Sequence, residues 1–336
     1  MRQRRQRTES MVQRFARTSV SEGFDLWDKD YLLGALRLFL FKGETAPPFQ
    51  VGPCMDATGE ILVQMEEYED ASEQFTLAAE KYALIQRNDL AQLMRIKAAE
   101  CTDGPEEALR QVTAYVSEQR EMTPGLARAH AYHAQLLLKT AKDINAVAPE
   151  AVAAARLACN NCWDRVHVGY VTLGDALCAA GRPTEACEEY QRAVEANENC
   201  IAGLERHMSV LRDRLRETTD GAAQSRLRSE LLRLLDAAIA LHPRPTLLRE
   251  KAFLLSETAG DAAALDFLEP LIRNPPPEEA DAAANQTVTT LLKAKAAILA
   301  DSGSMKEALK AAEAALRESP GDEEAAAIVA EIQQSV

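Results

Sequence analysis

The stretch YVTLGDALCAAGRPTEACEEYQRA, residues 170–193, decides the fold of this chain. It contains two amphipathic segments of helical period, and Gly181 between them suits a turn because glycine accepts the left-handed backbone that ends helices. Small residues let two helices approach closely, and larger residues fill the space between them. The small residues are Gly174, Ala186 and Ala193, and the larger ones are Leu173, Leu177 and Tyr190. The stretch therefore predicts a pair of closely packed helices.

Similar pairs recur along most of the chain. A second clear copy near the C terminus runs from Leu299 through Gly303 to Pro320. Weaker copies are placed by the Ala or Leu that opens the second helix of each pair. The seven openings are Ala71, Ala108, Ala151, Ala186, Leu231, Ala264 and Ala308. We therefore predict about seven pairs, spaced by roughly 33 to 45 residues, and a closing helix over 322–336.

The pairs resemble the tetratricopeptide repeat, whose pattern combines Leu-Gly in the first helix with alanines and an aromatic residue in the second. Leu173-Gly174 and Tyr190 match this pattern in the clearest copy. No unit has the family's first-helix Trp, most lack Leu-Gly, and Glu198 stands where the clearest copy should end in Pro. The resemblance covers 54–336 and implies an all-α fold, a right-handed superhelix or α-solenoid of about seven helix pairs. It specifies no subfamily.

A different pattern precedes the repeats. Apolar residues between Phe24 and Phe41 have nearly helical spacing and predict one helix that caps the first repeat. The three prolines between Gly43 and Pro53 predict a turn or linker, because proline cannot continue a helix. The expected organisation comprises one elongated repeat domain with an N-terminal extension. Its parts are a basic tail (1–23), a cap helix with a proline-rich linker (24–53) and the repeat domain (54–336).

Charge divides the chain unequally. The whole chain of 336 residues carries a net charge of −14, yet the first 20 residues hold six arginines against one glutamate, a net +5, which leaves −19 for the rest. So acidic a body is expected to repel nucleic acid. The tail is either a disordered, solubilising terminus or a dock for an acidic surface such as tubulin, ribosomal RNA or an anionic membrane. Its arginines are Arg2, Arg4, Arg5, Arg7, Arg14 and Arg17.

No motif supports catalysis, since the chain has no glycine-rich phosphate loop, nucleophile elbow or metalloprotease His pair. We therefore expect no enzyme activity, catalytic residue, cofactor or small-molecule substrate. His130 and His133 lie three apart on one predicted helix, and Cys159 and Cys162 have the spacing of half a zinc site. Because neither pair is followed by further ligands at the usual spacing, we interpret all four as structural residues and expect no metal.

Cysteines and hydropathy bear on location. Seven cysteines without regular spacing are expected to be free thiols in a reducing compartment. The longest apolar run, 35–41, is interrupted by Arg37 and is far shorter than the ~20 residues that a membrane helix needs. The expected location is the cytoplasm, more narrowly a ciliary or flagellar axoneme. The alternative is a mitochondrion, because an arginine-rich start also fits a presequence.

Stacked helix pairs expose a concave groove, lined by the first helix of each pair, that can bind a peptide or a helix. In the register of the clearest pair, the groove-lining residues are Val168, Val171, Asp175, Arg249, Phe253, Lys293 and Ala297, with Lys97 and Gln135 in less regular pairs. This lining is mixed in charge, so a simple polyanion is not the expected ligand. Asp56 and Glu60 stand where relatives that bind chaperone tails carry a basic clamp, which disfavours that role.

The sequence therefore predicts a scaffold or adaptor within a larger assembly, with a protein in its groove and its basic tail on an acidic surface such as a microtubule. Two alternatives remain. The first is a mitochondrial or RNA-associated helical-repeat factor whose tail contacts RNA or serves as a presequence. The second is a regulatory subunit that binds a catalytic partner in its groove.

Overall fold

The structure, a computed structural model, describes residues 16–161, 165–276 and 286–335. These residues form seventeen α-helices and, within the same ranges, no strand, which confirms the predicted all-α class. In chain order, α1 to α17 are Val20–Asp28, Leu32–Thr45, Pro48–Gln64, Tyr68–Leu84, Asn88–Asp103, Pro105–Glu118, Pro124–Thr140, Ile144–Asn160, Val166–Ala179, Pro183–Ala196, Ile201–Glu217, Gly221–Leu241, Pro245–Ala259, Asp261–Arg273, Gln286–Asp301, Met305–Glu318 and Glu323–Ser335.

The chain divides into two compact units, Met1–His207 and Met208–Val336, with the boundary inside α11. In the N-terminal unit, the packed pairs are α3/α4, α5/α6, α7/α8 and α9/α10. In the C-terminal unit, α13 packs with α14 and α15 with α16, and the closing helix α17 packs against both members of the last pair. Consecutive helix pairs are therefore the building block of each unit.

The seven residues predicted to open second helices lie on α4, α6, α8, α10, α12, α14 and α16, and each is buried. Five of them are the fourth residue of their helix. The exceptions are Ala151 and Leu231, which lie deeper because α8 and α12 begin earlier than the sequence predicts. The repeat pattern thus locates each second helix correctly, and it is less accurate where a helix is extended at its N terminus.

The clearest pair has the predicted packing. A Cβ atom on Gly174 of α9 would collide with the ring of Tyr190 on α10, so glycine is what allows this ring to lie against the first helix. Tyr190 is 2% exposed, and its hydroxyl donates a hydrogen bond of 2.8 Å to Asp175 Oδ1. Gly181 turns the chain between the two helices with a φ of +71°. Both glycines therefore have the roles that the sequence predicts.

The predicted cap helix over 24–41 is wrong, because the structure has two helices there, α1 and α2. The chain turns at Asp30, whose φ of +66° lies in the left-handed region that Asp tolerates better than most residues. The amides of Asp30 and Tyr31 donate to carbonyl oxygens near the end of α1, as in the glycine-type helix ending. The turn could not be predicted from the sequence, because the apolar residues keep their helical spacing on both sides of it.

The predicted linker over 43–53 is also wrong. The helix α2 continues to Thr45, and α3 begins at Pro48, where the missing amide hydrogen would have no partner inside the helix anyway. Pro53 lies inside α3, only five residues after its start. Residue 54 therefore lies inside α3 and does not mark the start of the repeat domain.

The predicted tail is shorter than 23 residues. The helix α1 begins at Val20, and the Ser19 side chain caps it by accepting a hydrogen bond of 3.3 Å from the amide of Glu22. Residues 20–23 thus belong to α1. Within the described ranges, no helix combines the length and the apolar character that crossing a membrane requires.

Candidate functional site

A cavity in the N-terminal unit lies along the first helices of its pairs. It has a volume of about 840 Å³ and is lined by residues of α3, α5, α7 and α9, by the start of α11 and, on another side, by α1. Four residues predicted to line the groove are in this lining: Lys97, Gln135, Val168 and Val171. The register taken from residues 170–193 therefore brings these four together, and their role in binding stays a prediction.

Buried charges occupy part of this cavity wall. Lys97 is 5% exposed, and its Nζ lies 3.3 Å from Asp56 Oδ1 and also bonds Glu60 Oε1. Arg128 Nη2 lies 2.5 Å from the other oxygen of Asp56. Lys97 thus lines the cavity as one member of an ion-pair network that joins α3, α5 and α7.

The carboxylate at the centre of this network is held in its charged form. Burial by itself would raise the pKa of Asp56, but the charges and hydrogen bonds of Arg128 and Lys97 outweigh burial and lower it. The pKa of Arg128 is raised in turn, chiefly by Asp56 acting against burial. A carboxylate so held is a poor proton acceptor at neutral pH, so the network serves cohesion rather than acid–base chemistry.

The helix α1 meets the far end of the cavity through aromatic rings and one arginine. The guanidinium carbon of Arg165, just before α9, lies 4.3 Å from the centroid of the Trp27 ring and 4.9 Å from that of Phe24. At these distances a guanidinium makes cation–π interactions with the rings, and such interactions are strongest where water is excluded. Arg165 therefore attracts both aromatic residues of α1.

The last residue of α1 completes the contact. The carboxylate of Asp28 pairs with Arg165 Nη2 at 2.6 Å and accepts a hydrogen bond of 2.7 Å from Asn197, while His167 Nε2 lies at 3.3 Å. Burial alone would raise the pKa of Asp28, but the hydrogen bond with His167 and the charge of Arg165 lower it. Asp28 is thus an ionised, 9% exposed side chain that joins α1 to α9 and to the end of α10.

Two weaker bonds hold α1 on opposite sides of the cavity. Asn199 donates to Asp25 at 3.4 Å, and the Trp27 indole donates to Gln64, the last residue of α3, also at 3.4 Å. The helix α1 therefore extends between the first and fourth helix pairs. Sequence reasoning missed these residues because the partners lie 37 to 174 positions apart and share no repeat.

The remaining predicted groove residues lie elsewhere. Asp175 accepts from Tyr190 and lies 3.4 Å from Arg206, outside the cavity lining, and burial raises its pKa. Phe253 packs against the core cluster formed by α13, α14 and α15. Arg249 and Ala297 are half-buried in the C-terminal unit.

Lys293, a predicted groove residue of the C-terminal unit, is paired with two carboxylates. Its Nζ lies 2.9 Å from Asp322 and 2.5 Å from Glu324, at the start of the closing helix α17. Burial alone would lower the pKa of Lys293, but the two carboxylates raise it. Lys293 therefore attaches the closing helix to α15.

Two of the candidate metal residues, His130 and His133, lie on α7. His130 and His133 are buried, and His133 Nε2 lies 3.1 Å from the Thr113 hydroxyl. Burial raises the pKa of the Cys159 thiol to about 12, and Cys162 lies outside the described residues. The described ranges contain no group of three or more His, Cys, Asp or Glu residues suited to a metal ion. Of the tail arginines, Arg17 is described and exposed; Arg2, Arg4, Arg5, Arg7 and Arg14 are outside those ranges.

Comparison with known proteins gives structural similarity alone. No protein-family model matches the chain, and no curated protein matches it. Among solved structures, it is similar to the APC/C hetero-tetramer Cut9–Hcn1, with 15% identity and a TM-score of 0.48 over 93% of this chain. The chain spans about half of that matched chain, 54% of its length.

Two further similar structures are of bacterial repeat proteins. One is a tetratricopeptide repeat protein from Parabacteroides merdae, with 14% identity and a TM-score of 0.38 over 84% of this chain and 99% of the other. The second is the C-terminal part of a TPR repeat-containing protein from Cytophaga hutchinsonii, with 10% identity and a TM-score of 0.41 over 93% and 99%. Such scores say nothing about partners. The helix pairs themselves, from α3/α4 onward, make this chain an all-α repeat protein that resembles the tetratricopeptide repeat family.

Proposed function

We propose that this chain is a scaffold whose N-terminal unit binds a peptide or helix of another protein along α3, α5, α7 and α9. The observation that carries the proposal is the cavity of about 840 Å³, whose walls come from four successive helix pairs. An elongated ligand in that cavity would contact several pairs at once, which is how helical-repeat proteins bind peptides.

The chemistry of the cavity supports binding rather than catalysis. Its buried carboxylate, Asp56, is neutralised by Lys97 and Arg128. Apolar side chains such as Val168 and Val171 line the same cavity. A surface with apolar area next to compensated charges favours a protein ligand over a highly charged one.

The basic tail is the second binding element of the proposal. Its charge of +5 would attract an acidic surface, and microtubules of a cilium or flagellum fit this requirement because tubulin is acidic. Removing residues 1–19 should weaken co-sedimentation with microtubules at low salt, and added salt should weaken it in the intact chain. Equal sedimentation of both forms would contradict a role of the tail on that surface.

A cross-linking experiment tests the groove. A photo-reactive benzoylphenylalanine replaces Val171 in the cavity or, as the control, the exposed Glu188 on the outer face of α10. We expect irradiation in a cell extract to capture a defined protein from position 171 and not from position 188. If position 171 captures nothing specific, the groove proposal is wrong.

The identity of the captured molecule separates the alternatives. A catalytic protein cross-linked at position 171 would favour a regulatory subunit of an enzyme. RNA recovered with the intact chain and lost without residues 1–19 would favour an RNA-associated factor, and a shortened N terminus in mitochondria would identify a presequence.

A further inference from the structure

The helix α1 is a short element that depends on other parts of the unit. It has nine residues, of which Gly23 is the buried one, and isolated helices of this length are marginal in water. Its contacts with Arg165 and Asn197 come instead from one edge, formed by Phe24, Trp27 and Asp28. The other side of α1 packs on α2, where the rings of Phe24 and Phe39 lie 4.9 Å apart and Gly23 lies against the Phe39 ring. With its groove-facing edge, α1 makes the contacts that a bound peptide would make.

The turn that follows α1 favours its release. Asp30 connects α1 to α2 with a φ of +66°, and a residue other than glycine in this region stores about 1 kcal/mol or more of strain. If α1 leaves the groove, Asp30 can relax to an ordinary conformation. Displacing α1 therefore costs less than its contacts alone indicate.

The contact between α1 and the groove is also incomplete. A cavity of about 840 Å³ remains beside α1, and Arg165 Nη1 is buried without a hydrogen-bond partner among the described residues. A buried donor without a partner is costly, so a ligand that supplies one more oxygen there would bind better than α1 does. The groove thus has room and an unused donor for a better occupant.

We propose, on the basis of the proposed function, that the partner's docking segment is an amphipathic helix with two aromatic residues followed by a carboxylate, the pattern of Phe24, Trp27 and Asp28. In the free chain, α1 occupies the place of this segment. The partner binds by displacing α1, and it supplies an additional carboxylate or carbonyl oxygen to Arg165. The N-terminal helix is therefore both a copy of the ligand and its competitor.

A tethered competitor has a measurable effect. A segment on a short linker acts at millimolar effective concentration, so it weakens a free ligand of ~0.1 mM affinity by about tenfold. Weakening the contacts between α1 and the groove should therefore restore the affinity of the free ligand.

The probe is a fluorescent synthetic peptide with the sequence of residues 18–31, and fluorescence anisotropy measures its binding to the full chain. We expect the Trp27→Ala/Asp28→Ala double variant to bind it about tenfold more tightly than the unaltered chain does. A control peptide with alanine at positions 24, 27 and 28 should not bind. Equal affinity of the double variant and the unaltered chain would overturn the proposal.

Two changes in the double variant locate the binding site. Arg165→Ala, which removes the donor for the carboxylate, should abolish peptide binding. Arg192→Ala on the exposed face of α10, where Arg192 pairs with its neighbour Glu189, should leave the affinity unchanged. If both changes have the same effect, the peptide binds elsewhere and the assignment is wrong.

A second measurement shows that the double variant is opened rather than unfolded. Cys200 lines the cavity and is 3% exposed, whereas Cys159 lies on α8 away from it. Alkylation followed by peptide mapping should be several-fold faster at Cys200 in the double variant and unchanged at Cys159. Faster alkylation of both residues would indicate unfolding. In that case the anisotropy test is repeated with the Asp28→Asn chain, which retains both aromatic rings, and equal peptide affinity of this variant and the unaltered chain would again overturn the proposal.

The two proposals fail differently. If the peptide does not bind the opened chain while position 171 still captures a protein, the groove binds partners of another chemistry and this inference is wrong. If neither the peptide nor a protein is captured, the proposed function is wrong as well. A chain that exchanges α1 between two copies, visible as a dimer in light scattering, would assign the groove to a second copy and overturn the inference.

Discussion

Asp28 Oδ1 and Arg165 Nη2 lie 2.6 Å apart although the two residues are 137 positions apart in the chain. The same guanidinium lies over the rings of Phe24 and Trp27. One arginine therefore provides an ion pair and two aromatic contacts to a nine-residue helix. Because this helix lines the cavity of the N-terminal unit, the arginine holds one wall of that cavity in place.

Docking of α1 should depend on pH through Asp28. Its pKa is lowered because the hydrogen bond with His167 and the charge of Arg165 outweigh burial, so it lies below the usual ~3.9. A group with a lowered folded-state pKa contributes fully above its unfolded pKa, and the contribution is lost as the pH falls through the folded value. We therefore expect the protection factors of α1 amides in hydrogen exchange to be constant above pH ~5 and to decrease below ~4.

The control for this pH dependence is Asp28→Asn, which preserves the shape of the side chain. Its α1 amides should be less protected at neutral pH, and their protection should show little change between pH 3 and 6. Among the described residues, the other ionisable groups that face Asp28 are Arg165, His167 and Cys200. If the Asn variant retains the same decrease near pH 4, Asp28 is not its source.

Removing the shared carboxylate of the ion-pair network should destabilise the N-terminal unit strongly. Asp56→Ala leaves Lys97 and Arg128 buried with less compensation, and breaking a buried pair on one side costs about 3–5 kcal/mol. Urea unfolding followed by circular dichroism should show this as a lower midpoint. Glu107→Ala, which breaks an exposed pair with Arg110, should leave the midpoint unchanged. Similar midpoints for both variants would mean that the network contributes no stability.

The helix pairs could be predicted from the sequence because each depends on neighbours in the chain. Gly174 and Tyr190 are 16 positions apart in one pair, and the pattern of small and large residues that joins them is visible in residues 170–193. The turn at Asp30 could not be predicted this way. A residue other than glycine adopts the left-handed conformation there, and the apolar spacing continues on both sides of it.

The candidate site could be predicted in part. The repeat register brought Lys97, Gln135, Val168 and Val171 to one cavity, since first helices lie side by side. It could not predict which charges neutralise each other, because Asp56 and Arg128 lie 72 positions apart on different pairs. The position of α1 was equally hidden, as it depends on contacts that no repeat encodes.

Replacing Gly174 should show how closely the clearest pair is packed. A methyl group at this position collides with the Tyr190 ring, so Gly174→Ala should destabilise the N-terminal unit by about 1–3 kcal/mol. Gly34→Ala is the matched control, because its added methyl group would meet only Leu26 at an ordinary 3.7 Å and alanine favours a helix. Urea midpoints should therefore move in opposite directions. A stabilised Gly174→Ala chain would contradict the close approach of α9 and α10.

Changing Lys293 should affect the closing helix rather than a binding groove. Asp322 both pairs with Lys293 and caps α17 by accepting a hydrogen bond of 2.8 Å from the amide of Ala325. Lys293→Glu would place a third carboxylate beside Asp322 and Glu324, so we expect α17 to lose about 1–2 kcal/mol of stability and its amides to exchange faster. Adding Glu324→Lys should restore part of the protection, because it supplies an opposite charge at the same position. Cross-linking from position 171 should be unaffected by Lys293→Glu. If the change instead abolished this cross-linking and left amide exchange in α17 unchanged, Lys293 would belong to the partner-binding surface.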